Sequence, residues 1–388
     1  MKKVNFFIFI IFGLLLLIKS NSSWAIFGAD DFKIEKFCQP TIKSARQTII
    51  YVDDQILIKN ESQWAKDLLS KLLANLIPSE QVTLVKISSN SGETQEIWHA
   101  CYPNYTSVEL DKIKKENNSF FGSDPVKQLQ NQQAFFRKQF SDALGKILNL
   151  NGREINQVKI DLKNQNKKQI IRAFSNDGAR FDTSRGAIRL IIYSDMLENS
   201  DLGISINDQI DKFNSQSVNF KNATIYVYGS GVTISSQGII TDKVKNFWKK
   251  IFEESNGHLV SFGSNLTIPS SVPVKYEAYN IEVNIEENKD SREGEMRLFI
   301  DQDGHLQDSY ISISNKVQSV IQDGNYLCND SKCTITANTI NSVVTKQGNN
   351  EIKLKGTSEN LVGTLAIPNA KLPNGKNAIF EMIAKTNK

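Results

Sequence analysis

The chain alternates short runs of consecutive apolar residues with longer stretches in which apolar side chains return every three or four positions. Thr48-Ile-Ile-Tyr-Val52 is continuous and stops at Asp53-Asp54, after which Trp64, Leu68, Leu69, Leu72, Leu73 and Leu76 recur at helical spacing until Pro78. Residues 82–87 and 95–98 read as two strands joined by the turn Asn90-Ser-Gly92. Phe135, Phe136, Phe140, Leu144 and Ile147 outline a helix over about 125–150, followed by a more polar helical stretch over about 152–174. Strands follow at 187–193, 223–228 and 257–262, with a helix through Phe247, Trp248, Ile251 and Phe252 between the last two. Strands that are apolar throughout and separated by helices predict a doubly wound, Rossmann-like α/β domain with a mostly parallel sheet covered on both faces. Ligands of such sheets bind beyond the carboxyl ends of the strands, where Asp53 and Asp195 fall.

After Pro269 and Pro273 the period changes to two. Alternating runs at 276–285, 296–300, 309–313, 351–354, 361–367 and 378–383, with turns rich in Gly and Asn and no helical period, predict a C-terminal antiparallel β-sandwich or barrel. The expected division is a signal peptide (1–25), a lead-in (26–46), the α/β domain (47–268), a linker (269–274) and an all-β domain (275–388).

The N-terminus changes the charge balance. Lys2 and Lys3 precede an apolar run from Phe6 to Ile18, and Ser23 and Ala25 supply small residues, the pattern of a cleaved secretory signal; the rival reading is an uncleaved anchor. The whole chain has 46 Lys plus Arg against 42 Asp plus Glu; residues 1–25 hold three of the lysines and no acid, leaving 43 against 42 and a net +1. This near-neutral mature charge gives no support to nucleic-acid binding. No later stretch is apolar enough to span a membrane, so the expected location is periplasmic or surface-associated, without a span after cleavage.

Export also sets how the four cysteines are read. Cys328 and Cys333 flank Asn329-Asp-Ser-Lys332, a polar hairpin turn, and predict a local disulfide; Cys38 and Cys101 remain to pair over a long loop or to stay as buried thiols. Zinc is disfavoured because no second ligand pair follows and His99, His258 and His305 are scattered.

Ile49-Ile-Tyr-Val-Asp53-Asp54 before a long helix, Leu190-Ile-Ile-Tyr-Ser194-Asp195-Met196-Leu197-Glu198-Asn199-Ser200, and Thr224-Ile-Tyr-Val-Tyr228-Gly229 followed by Phe247-Trp248 resemble the von Willebrand factor type A-like fold of exported bacterial proteins. The resemblance covers about 215 residues. It implies a divalent cation such as magnesium held by an Asp-x-Ser-x-Ser loop, a distant Thr and a distant Asp. Asp53 fits the first position, but Gln55 and Leu57 stand where the serines belong; Thr183 or Ser184 could give the middle hydroxyl and Asp195 the last carboxylate. The competing expectation is that Asp53 and Asp195 cap neighbouring loops and that no cofactor is bound.

Other motifs carry less. Gly229-Ser230-Gly231 lacks the full nucleophile-turn pattern, and Asp301-Gln-Asp303-Gly304 reads as a hairpin turn rather than a calcium loop. The basic stretch Lys159, Lys163, Lys167, Lys168, Arg172, Arg180, Arg185 and Arg189 reads as a solvated helix face, or else as a weak cationic patch for phosphate headgroups or an acidic partner. The favoured reading is an exported non-enzymatic binding or envelope-assembly protein with a protein partner in the envelope. The alternative is an envelope enzyme with a metal-assisted or hydrolytic site around Asp53 and Asp195.

Overall fold

The computed structural model describes residues 33–39, 46–59, 62–105, 107–116, 124–157, 168–182, 187–198, 218–230, 238–268, 275–285, 290–314, 317–341 and 350–386. The expected signal peptide and linker, with Thr183 and Ser184, lie outside the described residues.

Six strands form one sheet: β1 (Arg46–Asp53), β2 (Gln81–Ser88), β3 (Glu93–Cys101), β4 (Ala187–Tyr193), β5 (Ala223–Tyr228) and β6 (Gly257–Gly263), in the order β3-β2-β1-β4-β5-β6. All neighbours pair in parallel except β3, which the turn ending at Gly92 returns antiparallel to β2. The order reverses between β1 and β4, so that pair forms the topological switch point. Every residue of β1 and β4 is buried because both faces are covered. Ile49 and Tyr51 join one core with Phe174, Trp248 and Phe252, from helices α4 (Ile170–Asn176) and α5 (Gly238–Glu254). Ile50 and Val52 join the other with Trp64, Leu68, Phe136 and Phe140, from α1 (Gln63–Leu73) and α3 (Pro125–Gln157).

Two helical features differ from the sequence reading. Helix α3 runs through Gly152 instead of ending near Leu150, a glycine costing about 1 kcal/mol in a helix without forcing a break. Helix α2 (Ser107–Glu116) is too polar to show an apolar stripe, although Leu110 packs beside Phe37, Cys101 and Leu129.

The C-terminal strands close into one antiparallel barrel: β7 (Lys275–Ile285), β8 (Asp290–Ile300), β9 (Leu306–Ile313), β10 (Val317–Asn329), β11 (Lys332–Asn341), β12 (Asn350–Gly356), β13 (Asn360–Lys371) and β14 (Asn377–Thr386), with β14 returning to β7. Inward residues such as Met296, Leu298, Ile352, Leu354 and Met382 fill it, while Glu351, Lys353 and Lys355 on β12 face out. A lipid-facing barrel would have the reverse polarity. Among the described residues no helix is long and apolar enough to cross a membrane.

Both cysteine pairs stand at disulfide distance. Cys38 and Cys101, 5.2 Å apart at Cα, tie the turn Glu35–Cys38 to the end of β3. Cys328 and Cys333, 4.1 Å apart, sit across the β10–β11 hairpin, whose turn is the left-handed pair Asp330-Ser331 (φ 47° and 71°). On the chain-entropy estimate the long loop contributes about 4 kcal/mol and the short one about 2.

The barrel's outer wall meets the amino ends of the parallel strands. The Arg46 guanidinium lies 5.8 Å from the centre of the Phe299 ring, His258 and Tyr310 rings are 5.6 Å apart, and the Asn222 amide donates to Glu295 Oε1 at 3.1 Å. The carboxyl ends of the strands are at the opposite edge.

Candidate functional site

At the switch point β1 ends in Asp53, and β4 leads into Ser194-Asp195. The structure brings the two carboxylates together around a side chain that the sequence reading leaves on a solvated face. Lys168, which leads into α4, places its ammonium 3.2 Å from Asp53 Oδ2 and 2.5 Å from Asp195 Oδ1, with all three side chains buried. Burial opposes charge on this amine, but the Asp53 and Asp195 carboxylates outweigh it and raise the Lys168 pKa above its ordinary value.

The carboxylates are also held from behind. Asp53 Oδ1 accepts from the Gln55 backbone N–H at 2.9 Å and from the Ser89 hydroxyl, while Oδ2 accepts from the Ser194 hydroxyl at 2.7 Å. Asp195 Oδ1 accepts the Leu197 N–H at 3.1 Å. The remaining residues of the Ser-Asp-Met-Leu-Glu segment have equally local tasks. Met196 adopts φ +59°, its N–H reaches Ser194 Oγ at 2.9 Å, and its carbonyl accepts the Trp248 indole N–H at 2.6 Å. Glu198 Oε2 accepts the first backbone N–H groups of α4, from Ile170 at 2.8 Å and Ile171 at 3.1 Å. Gln169 is anchored as well, its N–H on Ser89 O at 2.8 Å and its side-chain amide on Asn90 O at 2.7 Å. Lys168 therefore hangs from a fixed backbone.

These residues do not fit a divalent cation in the arrangement described. An ammonium already stands between Asp53 and Asp195, and cation–oxygen bonds of roughly 2 to 2.6 Å leave no room for both. Gln55 directs its amide to Asn90 Oδ1 at 2.7 Å, and Leu57 is buried in the apolar core. Thr183 lies outside the described residues, so only Asp53 and Asp195 of the three expected ligands can be placed.

The other sequence motifs are accounted for by local structure. Gly229 has φ +93°, and a Cβ there would come within 2.9 Å of the Tyr193 ring; its N–H and that of Ser230 donate to Ser264 and Gly263 carbonyls at 3.2 and 3.1 Å. Asp301, Asp303 and His305 form a possible metal-binding group, their ligand atoms lying within 4.8 Å of one another. Asp301 also closes the β8–β9 turn, its Oδ1 accepting the Asp303 and His305 N–H groups at 2.9 Å each. Of the basic stretch, Lys159, Lys163, Lys167 and Arg185 lie outside the described residues, Lys168 and Arg189 are buried at opposite ends of the sheet, and Arg180 pairs with Asp177 and Glu96.

Lys168, Ser89 and Glu198 are the site residues that sequence reasoning did not assign. Lys168 is one of several lysines in a polar stretch, and only the fold shows that it turns inward between two strand ends.

No protein-family model matches the chain, and no curated protein matches it. Among solved structures, the ArnB paralog VWA2 from Sulfolobus acidocaldarius is similar over 81% of this chain and 66% of its own, with 11% sequence identity and a TM-score of 0.31. The human COPII-coat protein Sec24c is similar over 90% of this chain and 45% of its own, with 8% identity and a TM-score of 0.30. This chain spans just under two thirds of the first protein and under half of the second.

Proposed function

We propose that the chain is an exported, non-enzymatic binding or envelope-assembly protein whose type A-like α/β region engages a protein partner. The saturation of Asp53 carries this reading. Its two oxygens take a backbone N–H, two hydroxyls and an ammonium, and it has no exposed surface. A carboxylate with every direction occupied is a structural anchor, not a general base or an open metal ligand. The barrel supports the same reading by lying against the amino ends of the strands, which leaves the carboxyl edge away from that contact.

Export follows from residues 1–25 and agrees with two cysteine pairs at disulfide distance. Cell fractionation with N-terminal sequencing of the mature protein should give a chain beginning at Ile26 in the periplasm or at the surface. Affinity capture from envelope extract with site-specific cross-linkers should recover one partner attached at the carboxyl edge of the sheet. Recovery of no specific protein, or cross-links confined to the barrel, would count against the type A-like region as the binding module. The enzymatic alternative requires Lys168 to leave Asp53 and Asp195, and the contacts around it give no reason for that.

A further inference from the structure

We propose that Lys168 is the resident cation of the switch-point site: a tethered ammonium in the place of a divalent ion, which keeps the native site metal-free and masks a latent oxygen-ligand site. The inference stands on geometry alone and goes beyond the binding role. A protein that captured its partner and yet bound metal at Asp53 would overturn it while leaving that role intact.

Two carboxylates from different strands converge on one nitrogen, at 3.2 and 2.5 Å. Their convergence does not depend on the lysine, because other groups hold each of them. Gln55 N–H, Ser89 and Ser194 fix Asp53, and Leu197 N–H fixes Asp195. Removing the ammonium therefore leaves two buried negative charges facing each other, with the Ser194 hydroxyl alongside. Hard carboxylate and hydroxyl oxygens in that disposition suit magnesium or manganese. The lysine is as firmly set as its partners: Gln169 binds Ser89 and Asn90 on one side, and Glu198 holds the start of α4 on the other. A tethered charge also differs in effect from a bound ion. It contributes one positive charge where a divalent ion brings two, offers no open coordination position, and cannot be removed by chelators.

The test uses the full mature chain, stripped of divalent cations and melted with and without about 5 mM magnesium or manganese. The wild-type melting temperature should not move. Lys168→Met should melt lower and regain several degrees with either cation, or fold only when one is present, and adding Asp53→Asn should abolish the response. A cation-dependent rise in the wild type that Asp53→Asn removes would overturn the proposal, as would a folded Lys168→Met protein indifferent to both ions. If Lys168→Met does not fold under either condition, amine acylation of the native wild type decides. Lys168 should stay unmodified while exposed Lys112 and Lys114 react, and magnesium should not change this. Magnesium-induced labelling of Lys168 would show that metal displaces the ammonium and that the site is not masked.

Discussion

The sheet carries a buried charge cluster at each end; β1 contributes to both, and β4 supplies Arg189 to one and leads into Asp195 of the other. At the carboxyl end, Asp53 and Asp195 share the single ammonium of Lys168. Toward the amino end the ratio is inverted: Arg46 and Arg189 share the single carboxylate of Glu80. Glu80 Oε1 accepts from Arg46 Nε at 3.1 Å, Arg189 at 2.9 Å and the Thr48 hydroxyl at 2.5 Å, and Oε2 accepts from Arg46 at 2.9 Å and the Ile77 N–H at 3.0 Å. Asn75 takes further bonds from both guanidiniums. Burial alone does not distinguish a functional centre from a structural one, since both clusters are enclosed and internally paired. What differs is the surroundings and the sign. The barrel wall comes against the amino-end cluster through Phe299 over Arg46, and that cluster is held by a shared acid, whereas the carboxyl-end cluster is held by a shared base.

The largest expected effect comes from removing the shared acid. Glu80→Gln leaves two buried guanidiniums without their carboxylate and should cost about 3 to 5 kcal/mol in urea denaturation. Burial opposes the charge on Glu80, but Arg189 and Arg46 more than offset it and hold the carboxyl below its ordinary value. The stability it contributes is therefore present above the unfolded value of about 4.5 and is lost as pH falls through the lower folded value. Lys168→Met should cost about 3 kcal/mol without metal, the low end of the range because the lysine side chain retains 9% exposure. Its pH limit is opposite. The raised folded pKa makes its contribution complete below about 10.4 and lost as pH climbs through the folded value. The deficit of Glu80→Gln relative to wild type should therefore shrink on the acid side, and that of Lys168→Met on the alkaline side. The same limb changing in both would show that the clusters are not separate units.

His258 sharpens the comparison where the barrel meets the amino edge. The ring lies against Tyr310, both of its nitrogens are buried without a hydrogen-bond partner among the described residues, and burial pushes its pKa down to about 4. Nearby on the barrel, Glu295 accepts from Tyr310 at 3.1 Å and pairs with Arg297, so its charge is already matched. The unfolded histidine takes a proton near pH 6.5 and the folded one near 4, so stability should fall by about 3 kcal/mol as pH drops across that window. His258→Phe keeps a ring against Tyr310 and should be nearly neutral at pH 7 while flattening this acid slope, leaving the Glu80 limb below 4.5 intact. An unchanged slope between pH 6.5 and 4 would place the acid sensitivity elsewhere.

The five parallel sheet strands and the two-part architecture were legible because continuous apolar runs and strict alternation report two-sided and one-sided burial directly, while the more exposed β3 was legible through the turn Asn90-Ser-Gly92 that joins it to β2. Asp53 and Asp195 were legible as neighbours because each follows a buried strand. Lys168 was not, since it belongs to a polar stretch whose inward turn depends on Ser89, Asn90 and Glu198, all distant in sequence. Arg46 and Arg189 were hidden for the same reason: a cation within an apolar strand gives no hint of a carboxylate arriving from the start of another. The alternating strands left sandwich and barrel equally open, and the β14–β7 pairing that closes the barrel joins the first and last of them.

The smallest effect tests how the tethered cation is held. Glu198 is buried and bonds the first two N–H groups of α4, two residues beyond Lys168. Glu198→Ala leaves those donors unsatisfied and removes a negative charge from a helix start, which should cost about 1 to 2 kcal/mol. If this cap helps fix Lys168 against Asp53 and Asp195, native-state acylation of Lys168 should quicken in the variant while Lys112 and Lys114 react as before. The amino-end cluster shares no residue with the cap, so the acid limb set by Glu80 should not change. Unchanged labelling of Lys168 would mean that its two carboxylates suffice to hold it, and that the Ser-Asp-Met-Leu-Glu segment acts on the site through Ser194 and Asp195 alone.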